Sequence, residues 1–246
     1  MDNNAVIKLM SEHRSIRAFK QEALSEDHIQ TITTAARWAS TSNHVQAYSI
    51  VVIRDQEKKK KLAELSGGQR WVEQCPVFFV ICADYTRHEK ASRKYGTTFD
   101  VGGAEQLLVA TVDAALLAQN MLLASESLGL GGVMIGGIRN NPESVCDLIG
   151  LPKYAFPVMG MAIGYPDQNI DQKPRLPTEV VVHHDHYSED HVGAIANYDQ
   201  LISAYYTKRT NGKRTLGWSE GMAAYTKERK RSHMDQFLMN QGFLRN

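Results

Sequence analysis

GGAEQLLVATVDAALLAQNMLLASESLGLGGVMIGG, residues 102–137, joins an apolar run of helical length to a short β-type run fenced by glycines. Its first two thirds carry apolar or small side chains at nearly every helical position, which predicts a helix buried on most faces and a core organised around it. Asp113, Gln119 and Asn120 interrupt the run, so its longest charge-free apolar part falls short of the roughly 20 residues that a membrane span needs. The helix is expected inside a folded domain, with no membrane partner. Beyond it, Gly129, Gly131, Gly132, Gly136 and Gly137 flank Val133, Met134 and Ile135. Backbone without side chains can lie against a ligand that Cβ atoms would hold off, which makes this strand a candidate cofactor wall. The alternative is that these glycines only cap the helix and let the strand pack closely.

Order and spacing exclude two common glycine motifs. A dinucleotide fingerprint runs strand, glycines, helix, whereas here the helix comes first and the strand last. A P-loop needs Lys and then Ser or Thr after its second glycine, but Gly136 is followed by Gly137 and Ile138.

Outward from this stretch, Tyr48 to Ile53, Val77 to Ala83 and Phe156 to Ile163 read as three further strands, rich in β-branched or continuously apolar residues. Helices are predicted over residues 4–12, after a Ser25 cap, from an Asp55 cap to Leu65, and from Asn141-Pro142 to Gly150. Further helices follow at Tyr187 to Tyr206 and from Trp218 onward, and residues 84–101 are expected to be irregular or briefly helical. Lys173-Pro174-Arg175-Leu176-Pro177 must be extended, because two prolines exclude helix. Helices outnumber strands without regular alternation, so the expected class is α+β.

The 246 residues carry 28 Lys and Arg against 27 Asp and Glu, a net charge of +1 that does not favour a nucleic-acid partner. Basic residues with interleaved aromatics from Lys208 to Arg231 leave a non-catalytic basic binding module as a minor alternative. Cys75, Cys82 and Cys146 form no C-x-x-C pair and read as reduced packing residues. The opening MDNNAVIKLM has neither the basic nor the long apolar part of a secretory signal, so a cytoplasmic location is expected. His183, His184 and His186 lack the spacing of a metal site, and no metal is expected.

His13, Arg14, Ser15 and Arg17 group two guanidinium groups, an imidazole and a hydroxyl, a set suited to phosphate capture. Lys173 and Arg175, two apart in an extended segment, point the same way and form a second cationic clamp.

In order along the chain, HRSIRAF (13–19), ASTSNHVQAYSI (39–50), GGQ (67–69), ESLGLGGVMIGGIRNN (126–141) and KPRLP (173–177) resemble the NADPH-dependent flavin oxidoreductase branch of the nitroreductase family. The resemblance covers about residues 4–246. It implies one nitroreductase-like domain over 1–246, with a central, mostly antiparallel sheet flanked by helices. It also implies an intertwined homodimer holding one FMN per subunit between both chains, with 188–246 a helical extension contributing to the dimer and the NADPH site.

By the same resemblance, His13, Arg14 and Ser15 are phosphate and ribityl ligands, and Arg17 lies near the flavin's pyrimidine edge and tunes it. Lys173 and Arg175 are further phosphate ligands. Ser40, Thr41, Ser42 and Gln46 are flavin contacts, partly donated by the partner subunit. Gln69 bonds the ring edge, while Met134, Ile135, Gly136 and Gly137 form the wall beside N5. Met134 stands where the family often has an aromatic residue, and Asn43 and His44 vary the neighbouring loop. Lys208, Arg209, Lys213 and Arg214 resemble a basic loop for the NADPH 2′-phosphate, and Arg139 a further NADPH or acceptor contact.

The implied chemistry is hydride transfer through FMN to nitroaromatics, quinones or flavins, with ping-pong kinetics and no protein acid or base; the alternative is a dedicated NADPH:FMN reductase.

Overall fold

In the computed structural model residues 4–244 are described, so the last two residues of the 188–246 extension lie outside the described part. Two compact units are present: residues 4–169 together with 231–244, and Ile170–Lys230.

The first unit is built on an antiparallel sheet in the order β1-β2-β4-β3, with β1 at Tyr48–Ile53, β2 at Val77–Asp84, β3 at Gly131–Ile135 and β4 at Ala155–Gly164. Among the described residues, seven α-helices and two short 3₁₀ helices precede the chain's departure from this unit; the α-helices are α1 (Ala5–Ser11), α2 (Glu26–Ala36), α3 (Gln56–Leu65), α4 (Arg70–Gln74), α5 (Thr86–Tyr95), α6 (Ala104–Ser127) and α7 (Pro142–Ile149). Every residue of β2 is buried, so side chains leave it toward a core on each face. Phe79 and Ile81 join α2 and α6 on one face, while Phe78 and Val80 join α3 on the other. Each such side chain contributes roughly 1.5–3 kcal/mol by leaving water.

Local chemistry sets the boundaries. Ser25 accepts from the His28 amide and Asp55 from the Lys58 amide, capping α2 and α3. Gly150 closes α7 in a left-handed conformation, but Asn141 makes no side-chain cap bond there. The 84–101 stretch contains a full helix, α5, which has no buried residue and ends at left-handed Gly96.

Long α6 differs most from expectation. Ala110, Ala114, Leu117, Ala118, Met121 and Leu122 are buried, yet Leu108, Val112 and Leu116 are exposed by 59%, 51% and 42%. They recur every fourth residue and form an apolar ridge along one side of the helix. By length and composition α6 is the one helix among the described residues that could cross a membrane. Its Asp113 is nevertheless buried and fully bonded within the protein.

The second unit contains α8 (Thr178–Val181), α9 (Val192–Arg209) and α10 (Trp218–Thr226). Helix α9 begins five residues later than Tyr187, where the sequence pattern had placed its start. The Asp199 carboxylate accepts from the Ser219 amide at 2.7 Å and so caps α10 from a neighbouring helix; this bond lowers the Asp199 pKa. The chain then returns to the first unit, where α11 (Met234–Asn240) and Phe243 fill the core beside Tyr85 and Phe156.

Candidate active site

Three segments of the first unit meet at the glycine-flanked strand. The Ile16 amide donates to the Gly132 carbonyl at 2.9 Å, and Ser15 bridges Gly132 in parallel, which lays residues 13–17 along β3. Gly131 makes this possible, since a Cβ there would stand 2.5 Å from Ile16. From α6, the Glu126 carboxylate lies 2.5 Å from His13 Nδ1. A carboxylate only accepts, so Nδ1 carries the proton and Nε2 is turned toward Ser15 Oγ, 3.5 Å away. Arg14 is exposed and donates to the Glu12 carbonyl at 2.7 Å. Arg17, also exposed, donates to the Ser15 carbonyl at 3.3 Å and stands 5.7 Å above the Trp71 ring.

The 66–71 turn is the third segment. Gly67 and Gly68 have positive φ, and Gln69 Nε2 donates to the Ser66 carbonyl at 2.8 Å. Gly137 sits directly on this turn: a Cβ would lie 2.3 Å from the Ser66 carbonyl oxygen and 2.3 Å from Gln69 Nε2. At Gly136 the only heavy atom within 4 Å of such a Cβ is an Arg139 guanidinium nitrogen at 3.5 Å. The expected wall, Met134 to Gly137, therefore divides into a glycine packed against protein and a glycine whose bare backbone faces open space. Ser66 Oγ and Trp71 Nε1 are buried at this junction without a hydrogen-bond partner. Arg139 donates to the Val158 carbonyl. That carbonyl belongs to the residue skipped where the β2/β4 register shifts, so the irregularity supplies its acceptor.

Ser40, Thr41, Ser42 and Gln46 lie on a separate loop of the same unit. Asn43, His44 and Gln46 all have positive φ, a strain of about 1–2 kcal/mol for each non-glycine residue. Asp113 answers it from α6, accepting from the Thr41 hydroxyl at 2.5 Å, the Ser42 amide at 3.1 Å and the Ala47 amide at 3.2 Å. Arg87 supports the far side through the Gln46 and Tyr48 carbonyls. Beside the loop, Leu108, Val112 and Leu116 line a groove of about 400 Å³. Asp113 and Glu126 are roughly 20 Å apart along α6 at 1.5 Å per residue, so the loop and the 13–17 segment are anchored far apart on one chain.

The remaining basic residues belong to the second unit. Tyr198 OH donates to the Pro174 carbonyl at 3.0 Å, and Lys208 pairs with Asp171 at 2.6 Å, fastening the 171–175 segment to α9. Lys173 stands 5.2 Å and Arg214 3.7 Å from the Tyr206 ring centre, and Arg209 donates to Tyr205 OH at 2.6 Å. Burial alone would raise the Tyr206 phenol, but Lys173, Arg214 and Arg209 bring it below its ordinary value. Arg175 and Lys213 are exposed. Lys173 and the basic loop, given different phosphates by the sequence resemblance, thus share one aromatic cluster.

Burial pushes the Cys75 and Cys146 thiols up to about 12 and Cys82 higher still, which leaves no thiolate for chemistry at neutral pH. Among the described residues, no group of three or more His, Cys, Asp or Glu side chains could hold a metal.

The sequence model of the nitroreductase family matches residues 10–165, and that of its C-terminal domain matches residues 173–246. The "FMN reductase (NADPH)" of Bacillus subtilis is 40% identical, with 99% of this chain and 100% of that protein aligned. The "Oxygen-insensitive NADPH nitroreductase" of Salmonella typhimurium is 41% identical, with coverages of 96% and 97%. The structure of Bacillus megaterium NfrA1 superposes with a TM-score of 0.96 at 43% identity, covering 98% of this chain and 100% of that one. The Vibrio harveyi NADPH:FMN oxidoreductase complexed with NAD⁺ superposes at 0.91 with 38% identity and coverages of 99% and 100%. With both family models spanning nearly all of the described chain and the fold matched along its full length, this protein belongs to the nitroreductase family.

Proposed function

We propose that this chain is an FMN-dependent NADPH oxidoreductase that reduces nitroaromatics, quinones or flavins by two-electron steps. The observation that carries this reading is Gly136, an uncovered backbone position at the end of the strand that the 13–17 segment lines, next to the Gly137 contact with the 66–71 turn. The residues fit the cofactor. A flat ring can lie against Gly136, and in the adjoining 66–71 turn the Ser66 hydroxyl and Trp71 indole N–H are buried without partners. Relatives named for FMN and NADPH over nearly full length support the same assignment.

When bound, FMN supplies a ring that takes a hydride from NADPH and hands two electrons to the acceptor. The protein's part is to bind and orient. His13, Arg14 and Ser15 hold the phosphate and ribityl chain, with Lys173 and Arg175 as further phosphate ligands by family pattern. Glu126 fixes the His13 ring, so the ligand meets an imidazole of set orientation. Arg17 brings positive charge to the pyrimidine edge, where it stabilises charge that builds up on reduction. Gln69 binds the ring edge, and Met134, Ile135, Gly136 and Gly137 form the wall. Arg139, Lys208, Arg209, Lys213 and Arg214 serve NADPH, the arginines suiting its 2′-phosphate.

The working form is a homodimer. The exposed ridge Leu108, Val112 and Leu116 is the surface that a second copy covers, and residues 188–246 contribute to the same assembly. Ser40, Thr41, Ser42 and Gln46 then reach the flavin of the other subunit, in keeping with their anchorage at the opposite end of α6 from Glu126. Three free, buried cysteines suit a cytoplasmic location.

Initial rates with NADPH and a nitrofuran varied together test the reaction type: parallel double-reciprocal lines are expected, and intersecting lines contradict one site used in turn. Turnover with free FMN, nitrofurans and quinones compared under NADPH separates a general reductase from a dedicated flavin reductase.

A further inference from the structure

Asp113, in the middle of α6, is buried to 1% exposure and turns its carboxylate to the 41–47 loop. Both of its oxygens are engaged. Oδ1 accepts from the Ser42 amide, and Oδ2 accepts from the Thr41 hydroxyl and the Ala47 amide. The Thr41 oxygen in turn accepts from the Gln46 amide at 2.8 Å, so one carboxylate closes the loop at both ends and, through Thr41, holds positive-φ Gln46 beside its far end. His88 bonds the Val45 carbonyl at 2.8 Å from the other side. The backbone is held from within, while the Ser40 and Ser42 hydroxyls make no hydrogen bond among the described residues and both residues are exposed. A loop so arranged presents its hydroxyls outward in a backbone shape it would not keep unaided.

We propose that Asp113 is a positioning residue for flavin binding: its carboxylate sets the 41–47 loop so that Ser42 and Gln46 meet the cofactor in register. This rests on the reading above, in which that loop contacts FMN. The position also ties two properties together. Val112 and Leu116, on either side of Asp113 in sequence, belong to the exposed ridge proposed to be covered by a second copy, so the helix that forms the dimer surface also shapes the loop that crosses it.

A carboxamide at position 113 keeps the shape but replaces one acceptor with a donor, leaving at least one loop N–H or O–H facing another donor. The test is a double-mutant cycle on the purified holoprotein, with FMN affinity read by flavin fluorescence and the thermal midpoint of the apoprotein read in parallel. Asp113→Asn is expected to raise the FMN dissociation constant about tenfold, as for one misplaced hydrogen-bonding group. Ser42→Ala is expected to weaken FMN binding severalfold in the wild-type background and to change little once Asp113 is Asn. A purely structural role would lower the thermal midpoint and leave the Ser42 effect the same in both backgrounds, and that outcome overturns the proposal. Should Asp113→Asn fail to fold, Thr41→Val removes only the hydroxyl between Asp113 and the Gln46 amide and is expected to give the same loss of coupling. If Ser42→Ala and Gln46→Ala both leave FMN affinity unchanged in the wild-type background, the loop does not touch flavin, and the proposal falls with its premise; unaltered affinity in Asp113→Asn alone overturns the positioning role while leaving that premise intact.

Discussion

Gly136 and Gly137 are adjacent in sequence and differ in what replaces the missing side chain. At Gly137 a Cβ would collide with the Ser66 carbonyl oxygen, so Gly137→Ala is expected to destabilise the fold by about 1–3 kcal/mol. At Gly136 the space is open, and Gly136→Val is expected to keep the fold and lose flavin; thermal denaturation beside flavin content distinguishes the two, and full flavin retention in Gly136→Val counts against the wall. The sequence pattern marked both as places of close approach, but Gly137's neighbour is a carbonyl 71 residues earlier, and no local pattern carries that distance. Replacing Arg209 and Arg214 together with alanine is expected to raise the NADPH Michaelis constant about tenfold or more while barely moving that for NADH. Equal effects on both would remove the 2′-phosphate role.

Among the elements, the helices with an apolar face and a Ser or Asp cap were readable from sequence, and α2 and α3 begin where those caps stand. Helix α5 was readable only as one of two options for 84–101, irregular or briefly helical, because it has no buried residue and therefore no periodic apolar signal; an ion pair between Glu89 and Arg93 and the Gly96 end mark it instead. Just before α5, at the end of β2, Asp84 accepts from Ser49 and Thr86 and pairs with Arg87 at 3.1 Å. Burial alone would raise this carboxyl, but those bonds hold it below its ordinary value. Since the folded value lies below the unfolded value near 3.9, the stabilisation is complete above that pH and is lost as pH falls through the folded value. Asp84→Asn is expected to cost about 2 kcal/mol at pH 7 and to flatten the acid limb of stability, measured by denaturant unfolding from pH 7 to pH 3. An unchanged acid limb would contradict this role.

At the scale of the whole molecule, the α6 ridge explains why the sequence pointed to a helix buried on most faces. Apolar residues that pack inside one chain and those that would pack between two chains in the proposed dimer carry the same signal, and Leu108, Val112 and Leu116, left exposed in the single chain, are where the two cases part. Leu108→Glu with Val112→Glu is expected to give a monomer by sedimentation and to empty the flavin site, because the loop beside the ridge then has no second copy to serve. A dimer that retains its flavin would place the interface elsewhere. The order of linked motifs identified the chemistry, while the sharing of one tyrosine by Lys173 and Arg214 was beyond it, since 40 residues of chain intervene between them. The most direct test of the flavin assignment is the visible spectrum of the purified protein, titrated without oxygen with NADPH and then NADH. A yellow protein bleached by one equivalent of NADPH per flavin, and less readily by NADH, is the expected result; a colourless protein, or a yellow one that NADPH leaves unbleached, would contradict it.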